Sequence, residues 1–490
     1  MFDNKSIVLL EAHQLSYLIR NKEIACRDVM EIYLDHIETF NARVNAIVSL
    51  RDRDELLKAA EEKDSALANG EYHGWLHGIP FAVKDLALTC GITTTRGSLI
   101  FANDVPDRDA LIVERIKQAG AIIIGKTNTP EFGLGSQTYN SVFGATGNAY
   151  NHQLTAGGSS GGAAAALALY LLPIADGSDM MGSLRNPAAF NNVIGFRPSQ
   201  GRVPLTESNE LFFNQMAYEG PMGRCVKDVA LLLATLSGRD DRAPLSLSET
   251  GEQFTESLAI DCTSLRVGWL GDLQGHLPLE DGILPLCEKA LETFSSLGCD
   301  VHKVAIDIDY ETVWNAWRTL RHAHVAHSLE PLYSVPEKRK WLKPEAIWEI
   351  ENGLQLSAMQ LIQASAVRTL LYKKLITIFE NTDYLILPSA QVFPFDKNTP
   401  WPQTISGREM DTYHRWMEVT ILGSLSGCPI ANVPVGFNES GLPTGIQIIG
   451  RPRSDMAVLR LASEYEKATQ WTAKNKPGAI NESGLAHSLF

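Results

Sequence analysis

From Gly78 onward the chain alternates short apolar runs with amphipathic helical stretches, and this alternation constrains the fold more than any other feature of its 490 residues. Ile79–Val83 reads as a strand, Leu111–Gly120 as a helix closed by its final glycine, and Ala121–Ile124 as a buried strand. Ala163–Tyr170 reads as a helix entered from a glycine-rich turn, with a short strand at Leu171–Ala175. Strand–helix–strand order of this kind predicts a parallel or mixed sheet with helices on its faces. Residues 236–262 are polar and turn-rich, the pattern restarts at Arg266–Leu270, and 310–380 is strongly helical. Strands return at Tyr384–Pro388, Pro429–Phe437 and Gly445–Gly450. A chain that comes back to a sheet it has left predicts one large domain with a peripheral helical region, although length alone would suggest about three domains. Ahead of all this, Leu15, Leu18 and Ile19, and then Val29, Ile32, Tyr33 and Ile37, share helical faces, and residues 54–69 form a short polar helix.

Composition narrows the class of protein. Hydrophobic residues make up 44% and charged residues 20%, which excludes a disordered chain, a collagen and a coiled coil. The net charge of −14 argues against nucleic acid and against an anionic membrane surface as partners. Seven cysteines are scattered from Cys26 to Cys428 without a CxxC, which predicts reduced thiols and a cytoplasmic protein. The start, Met1–Gln14, lacks the apolar core of a signal peptide, and no apolar run of about 18 residues predicts a membrane helix.

Some motifs do not carry the chemistry that they spell. Gly120–Thr127 fits the P-loop pattern GxxxxGK[ST], but its middle is Ala and three isoleucines, which favour a strand, and Pro130 forbids a long helix after Lys126. It reads as a strand ending in a turn. His322, His324 and His327 lie together on one helix, but only His324 and His327 have ligand spacing and no carboxylate sits between them, so a polar helix face is the better reading and no metal site is expected. Trp314, Trp317 and Leu320 recur every three residues. That stripe is either core or the wall of an apolar pocket.

Three segments point to chemistry. Phe81-Ala-Val-Lys84-Asp85 ends an apolar strand in a lysine. Burial pulls a lysine pKa down and leaves a usable base, unless Lys84 snorkels or pairs with Asp85. Gly157-Gly158-Ser159-Ser160-Gly161-Gly162 runs straight into an alanine-rich helix, where glycines allow close approach and amides favour negative charge. Asp176-Gly-Ser-Asp179-Met180-Met181-Gly182-Ser183-Leu-Arg185-Asn-Pro187 places a serine after glycine in a turn, a position suited to a nucleophile beside main-chain oxyanion donors.

In these segments the chain resembles the amidase signature family. Ser159 and Ser183 stand 24 residues apart, and the second motif reads Gly-Ser-x-Arg-x-Pro-Ala. Similar stretches occur at Thr93–Ser98, from Asp109 through Phe132, at Val193–Ser199, Gly220–Arg224, Gly427–Ala431 and Gly441–Gly450, so the resemblance covers nearly the whole chain and is weakest over 236–420. It implies an α/β amidase signature fold, a central mixed β-sheet flanked by helices on both faces. It implies a single domain over 1–490: a helical segment at 1–70 packed on the core, a signature core at 71–235, a variable, largely helical, substrate-shaping region at 236–420, and a return to the core sheet at 421–490. It also implies a Ser–cis-Ser–Lys triad in which Lys84 is the base, Ser159 the bridging serine after a cis peptide from Gly158, and Ser183 the nucleophile. The backbone amides of Met180, Met181, Gly182 and Ser183 would receive the oxyanion. Ser160 would support the loop, and Asp179 and Arg185 would hold the nucleophile turn. The scheme implies no cofactor and no metal and a small-molecule amide as substrate; a homodimer is expected only because dimers are the commonest assembly of soluble enzymes.

One departure from the family stands out. Met180-Met181 occupies the place where the family usually has Thr-Gly. Either the backbone there does not require glycine and Met181 shapes the acyl pocket, or the oxyanion hole is distorted; the intact set of three reactive residues favours the first. Together with residues 310–350, the two methionines predict an apolar or aromatic acyl group. The alternatives are the amide-splitting subunit of a tRNA-dependent glutamine amidotransferase, against which Asn186 counts because those subunits commonly carry Gln there, and a non-catalytic binding protein of the same fold.

Overall fold

The computed structural model describes residues 4–213 and 215–482. Its strands, in chain order, are β1 Ile47–Val48, β2 Pro80–Lys84, β3 Ile122–Thr127, β4 Tyr139–Asn140, β5 Gly144–Ala145, β6 Ala175–Asp179, β7 Ile194–Arg197 and β8 Tyr218–Gly223. Then follow β9 Arg266–Trp269, β10 Asp300–Lys303, β11 Tyr384–Pro388, β12 Thr404–Ile405, β13 Arg408–Glu409, β14 Ile430–Phe437 and β15 Pro443–Gly450. Eight of them form one mixed sheet in the order β10-β9-β11-β15-β14-β7-β8-β6. Pairing is parallel between β10, β9 and β11 and antiparallel from β11 to β6. The strands that return late in the sequence, β11, β14 and β15, are its centre.

Period-two alternation divides the core between the two sides of this sheet. Tyr384 and Ile386 of β11, with Ala431, Val433, Ile446 and Ile448, pack into one apolar cluster with the helices Gly161–Ala168, Val226–Leu236, Ile283–Ser296 and Asp455–Thr469. Leu385, Leu387, Ile430 and Ile449 point the other way, into a second cluster with Trp314, Trp317, Leu371 and Leu375 from the long helices Tyr310–Tyr333 and Ala358–Phe379. The tryptophan stripe is therefore core: both rings are fully buried and stacked 5.3 Å apart. The N-terminal helices Ala12–Arg20 and Cys26–Val44 put Leu15, Ile19, Val29 and Tyr33 into the first cluster.

Two differences from the sequence reading matter for the site. β2 and β3 leave the large sheet and form a three-stranded one with β1, in the order β1-β3-β2. The strand expected at Leu171–Ala175 lies four residues later, at Ala175–Asp179. Leu171, Leu172 and Ile174 plug the core as a turn, while the ladder to β8 is made by the polar sequence Ala-Asp-Gly-Ser-Asp. A hydrophobicity pattern misses such a strand because its buried polar groups are satisfied by partners outside the strand. The P-loop look-alike is β3, and Lys126 is a buried staple whose Nζ donates to the Ala87 carbonyl at 2.5 Å and to Thr89 Oγ1 at 2.7 Å. All seven cysteines are free.

Candidate active site

Lys84 is the last residue of β2 and is almost completely buried. Its backbone N–H donates to Asp176 Oδ1 at 3.0 Å, which ties the small sheet to β6 of the large one. Its side chain does not pair with Asp85, which instead accepts Thr95 N–H at 3.0 Å. The Lys84 Nζ contacts Ser159 Oγ at 2.7 Å, Ser160 Oγ at 2.9 Å and Ser178 Oγ at 3.0 Å. Burial pulls the lysine down to about 8, against the Glu219, Asp176 and Asp179 carboxylates that raise it. The cost of holding a cation away from water is the physical reason for that depression.

The glycine-rich run delivers the two serines. Gly158–Ser159 is a cis peptide. Gly158 leaves no room for a side chain, since a Cβ there would meet the Gln137 backbone N at 2.9 Å. Both hydroxyls reach Lys84, but they face different surroundings. Ser159 lines a cavity of about 480 Å³, whereas Ser160 is wholly buried, and its N–H donates to the Ser183 carbonyl at 3.3 Å. Ser160 thus pins the glycine-rich run to the turn that carries Ser183, while Ser159 is the hydroxyl open to the cavity.

Ser183 lines the same cavity as Ser159. No hydrogen bond joins the Ser159 and Ser183 hydroxyls among the described residues; contacts of this kind commonly tighten only when substrate binds. The turn that carries Ser183 is built on Asp179. Its carboxylate accepts Gly182 N–H at 2.8 Å, Leu184 N–H at 3.2 Å and a two-pronged contact from Arg185, with Nε and Nη2 each at 2.9 Å. Arg185 in turn donates to Ser424 Oγ, the Thr420 carbonyl and Gln447 Oε1. Arg197, which the sequence reading did not single out, stands 3.4 Å from Asp179 and donates to its carbonyl. Burial pushes the Asp179 carboxyl up, but the two guanidiniums outweigh it and hold it well below the usual carboxylate range.

The oxyanion assignment needs one correction. Gly182 N–H is taken by Asp179, so it does not face an oxyanion. The amides of Met180, Met181 and Ser183 have no acceptor among the described residues. Neither methionine takes a positive φ; the left-handed residue of the turn is Gly182, at +85°, where a Cβ would also strike Thr420. The backbone therefore does not call for glycine at 180 or 181. The two side chains part company. Met180 lines the cavity, with its Sδ accepting from Arg321 Nη1 at 3.1 Å, whereas Met181 is buried in the second core cluster and does not reach the cavity wall.

The rest of the wall is only partly where the sequence placed it. The helix Tyr310–Tyr333 contributes Arg321, His324, Val325, Ser328 and Leu329. The 71–235 segment contributes Arg96, Phe101, Phe132, Leu134, Leu205 and Glu219, none of which the sequence reading assigned to the pocket. The histidines of that helix diverge, His322 Nδ1 meeting Glu349 Oε2 at 2.5 Å while His324 faces the cavity. Elsewhere, His13, Cys225 and Asp228 come together, but the Asp228 carboxylate already caps a helix through Ala12 N–H at 2.7 Å and His13 N–H at 3.0 Å. No helix among the described residues is long and apolar enough to cross a membrane.

A buried lysine touches Ser159, and Ser183, from a separate motif, lines the same cavity. Residues 28–459 match the family described as Amidase, and the chain belongs to that family, making it a hydrolase of carbon–nitrogen bonds in linear amides. It is similar to the acylamidase of Rhodococcus erythropolis, at 32% identity across 96% of this chain and 98% of that one. It is similar also to a glutamyl-tRNA(Gln) amidotransferase component from Thermosynechococcus vestitus, at 31% identity across 95% and 98%. Among solved structures, a bacterial aryl acylamidase of the amidase signature family superposes with a TM-score of 0.88 at 31% identity, across 94% of this chain and 97% of that one.

Proposed function

We propose that the protein hydrolyses a small amide with an apolar or aromatic acyl group through a seryl acyl-enzyme on Ser183. Neutral Lys84 takes a proton from Ser159 as Ser159 takes one from Ser183. The Ser183 oxygen attacks the amide carbonyl, and the oxyanion is received by the amides of Met180, Met181 and Ser183. Ser159 then protonates the leaving amine, and water, activated by the same relay, releases the acid. Side chains carry every proton, so the scheme calls for no metal or cofactor. The observation that carries the reading is the 2.7 Å contact of a buried lysine amine with Ser159 in the cavity that also holds Ser183. The substrate class rests on the wall formed by Phe101, Phe132, Leu134, Val325, Leu329 and Met180, and on the likeness to an aryl acylamidase.

Intact-mass analysis after a fluorophosphonate probe tests the scheme. The wild type gains one adduct, Ser183→Ala gains none, and Lys84→Ala labels far more slowly; an unlabelled wild type would point to a binding protein of the same fold. The likeness to an amidotransferase component favours a second reading, in which the amide is the side chain of glutamine and a partner protein uses the ammonia. Release of ammonia from glutamine by the isolated chain, at a rate above that for aryl amides, would replace the first reading with the second.

A further inference from the structure

The charged side chains around the cavity are nearly all satisfied by the protein itself. Glu207 accepts from Leu111 N–H at 2.8 Å and from Thr206 Oγ1 at 2.6 Å. Arg321 is held by Glu349 Oε1 and the Tyr413 hydroxyl, both at 2.6 Å, besides Met180. Arg96 lies 3.6 Å from Asp104 and stacks over the Phe101 ring.

Glu219 differs. It sits on β8 directly opposite Ser178 of β6, and directly opposed residues present their side chains on one face of a sheet. Ser178 Oγ is 3.0 Å from Lys84 Nζ, so Glu219 stands beside the reactive cluster. Its carboxyl lines the cavity yet makes no hydrogen bond or ion pair among the described residues. Burial and the neighbouring Asp176 carboxylate raise it above the ordinary carboxylate range. A carboxyl half withdrawn from water, with a through-space attraction to Lys84 but no hydrogen-bond donor, is unfavourable, and a ligand donor arriving in the cavity would relieve it.

We propose that Glu219 is a specificity-determining residue that receives a second N–H donor of the substrate, so that the preferred amides carry an amino group in addition to the scissile C–N bond. This rests on the reading of the cavity as an amide-hydrolysing site. A cavity in which one carboxyl lacks a hydrogen-bond donor discriminates by leaving that carboxyl without one when the substrate's donor is missing.

The test uses two matched pairs of anilides. In one pair a terminal amino group replaces a methyl on the acyl chain; in the other the same exchange is made on the aniline ring. Binding to full-length Ser183→Ala is measured by titration calorimetry, with and without Glu219→Leu or Glu219→Gln. The amino member of at least one pair should bind about 10- to 100-fold more tightly. Glu219→Leu should bring that ratio close to one, and Glu219→Gln, which keeps an acceptor oxygen, should retain an intermediate part of it. The proposal is overturned if neither pair is discriminated, or if the preference survives Glu219→Leu. Turnover by the wild type is scored separately. Its absence would sink the amidase reading, while the binding ratios still judge Glu219.

Discussion

The pH dependence of kcat/KM tests the role of Lys84 most directly. In the proposed relay the reactive form is the neutral amine, and burial pulls Lys84 down to about 8. The neutral fraction is then about 9% at pH 7, about 50% at pH 8 and about 91% at pH 9, so kcat/KM should rise roughly tenfold from pH 7 to 9 and level off. An ordinary lysine near 10.4 would offer roughly 200-fold less neutral base at pH 7. The sign follows from the chemistry: protonation removes the base, so activity is lost as pH falls through the folded-state value. Glu219 interacts with Lys84, so the inflection belongs to the pair rather than to the lysine alone. The assay is initial-rate hydrolysis of a chromogenic aryl amide from pH 6 to 10, with protein integrity checked at each end. A flat profile, or a single rise centred above 10, would refute the claim that burial prepares this lysine as a base.

Other outcomes follow from the same geometry. Ser159→Ala should cut kcat/KM by about 10²- to 10⁴-fold, the range for a positioned proton-transfer group. Ser160→Ala should lose less activity but lower the melting temperature, because it removes the contacts to Lys84 and Ser178; the reverse order would exchange the two serines' roles. Met181→Gly should destabilise by about 2–5 kcal/mol through a cavity in the second core cluster, without raising turnover on small amides. A large gain in turnover would mean that the methionine does distort the oxyanion donors. Asp179→Asn leaves Arg185 and Arg197 buried without their counter-charge and should cost about 3–5 kcal/mol, read as a lowered midpoint in chemical unfolding. An unchanged midpoint would show that the turn carrying Ser183 does not depend on that carboxylate.

Much of this protein is legible in its sequence because the signals are local. β2, β3, β9, β11, β14 and β15 and the long helices follow from apolar periodicity, and the P-loop look-alike is dismissed by its isoleucines alone. Lys84, Ser159 and Ser183 lie in motifs specific enough to be singled out before any coordinates. What sequence could not decide was where polar residues are satisfied. β6 escapes a hydrophobicity pattern because Asp176 and Asp179 take their partners from β2 and β7 and from the helix after the turn. The donor role of Gly182 fails because a carboxylate three residues earlier occupies its amide. Met180 and Met181, adjacent in the chain, are sent to opposite duties by one turn of backbone, and Glu219 is an ordinary strand residue until β8 lies against β6 beside Lys84. The sequence by itself determined most of the long elements, the candidate site residues and the class of chemistry, since these depend on neighbours a few residues away. Only the tertiary structure decided which hydroxyl opens to the cavity, which amides remain free and which carboxyl is left without a hydrogen-bond donor, since hydrogen-bond satisfaction and burial depend on how the turn folds and on which separate segments meet in the folded chain.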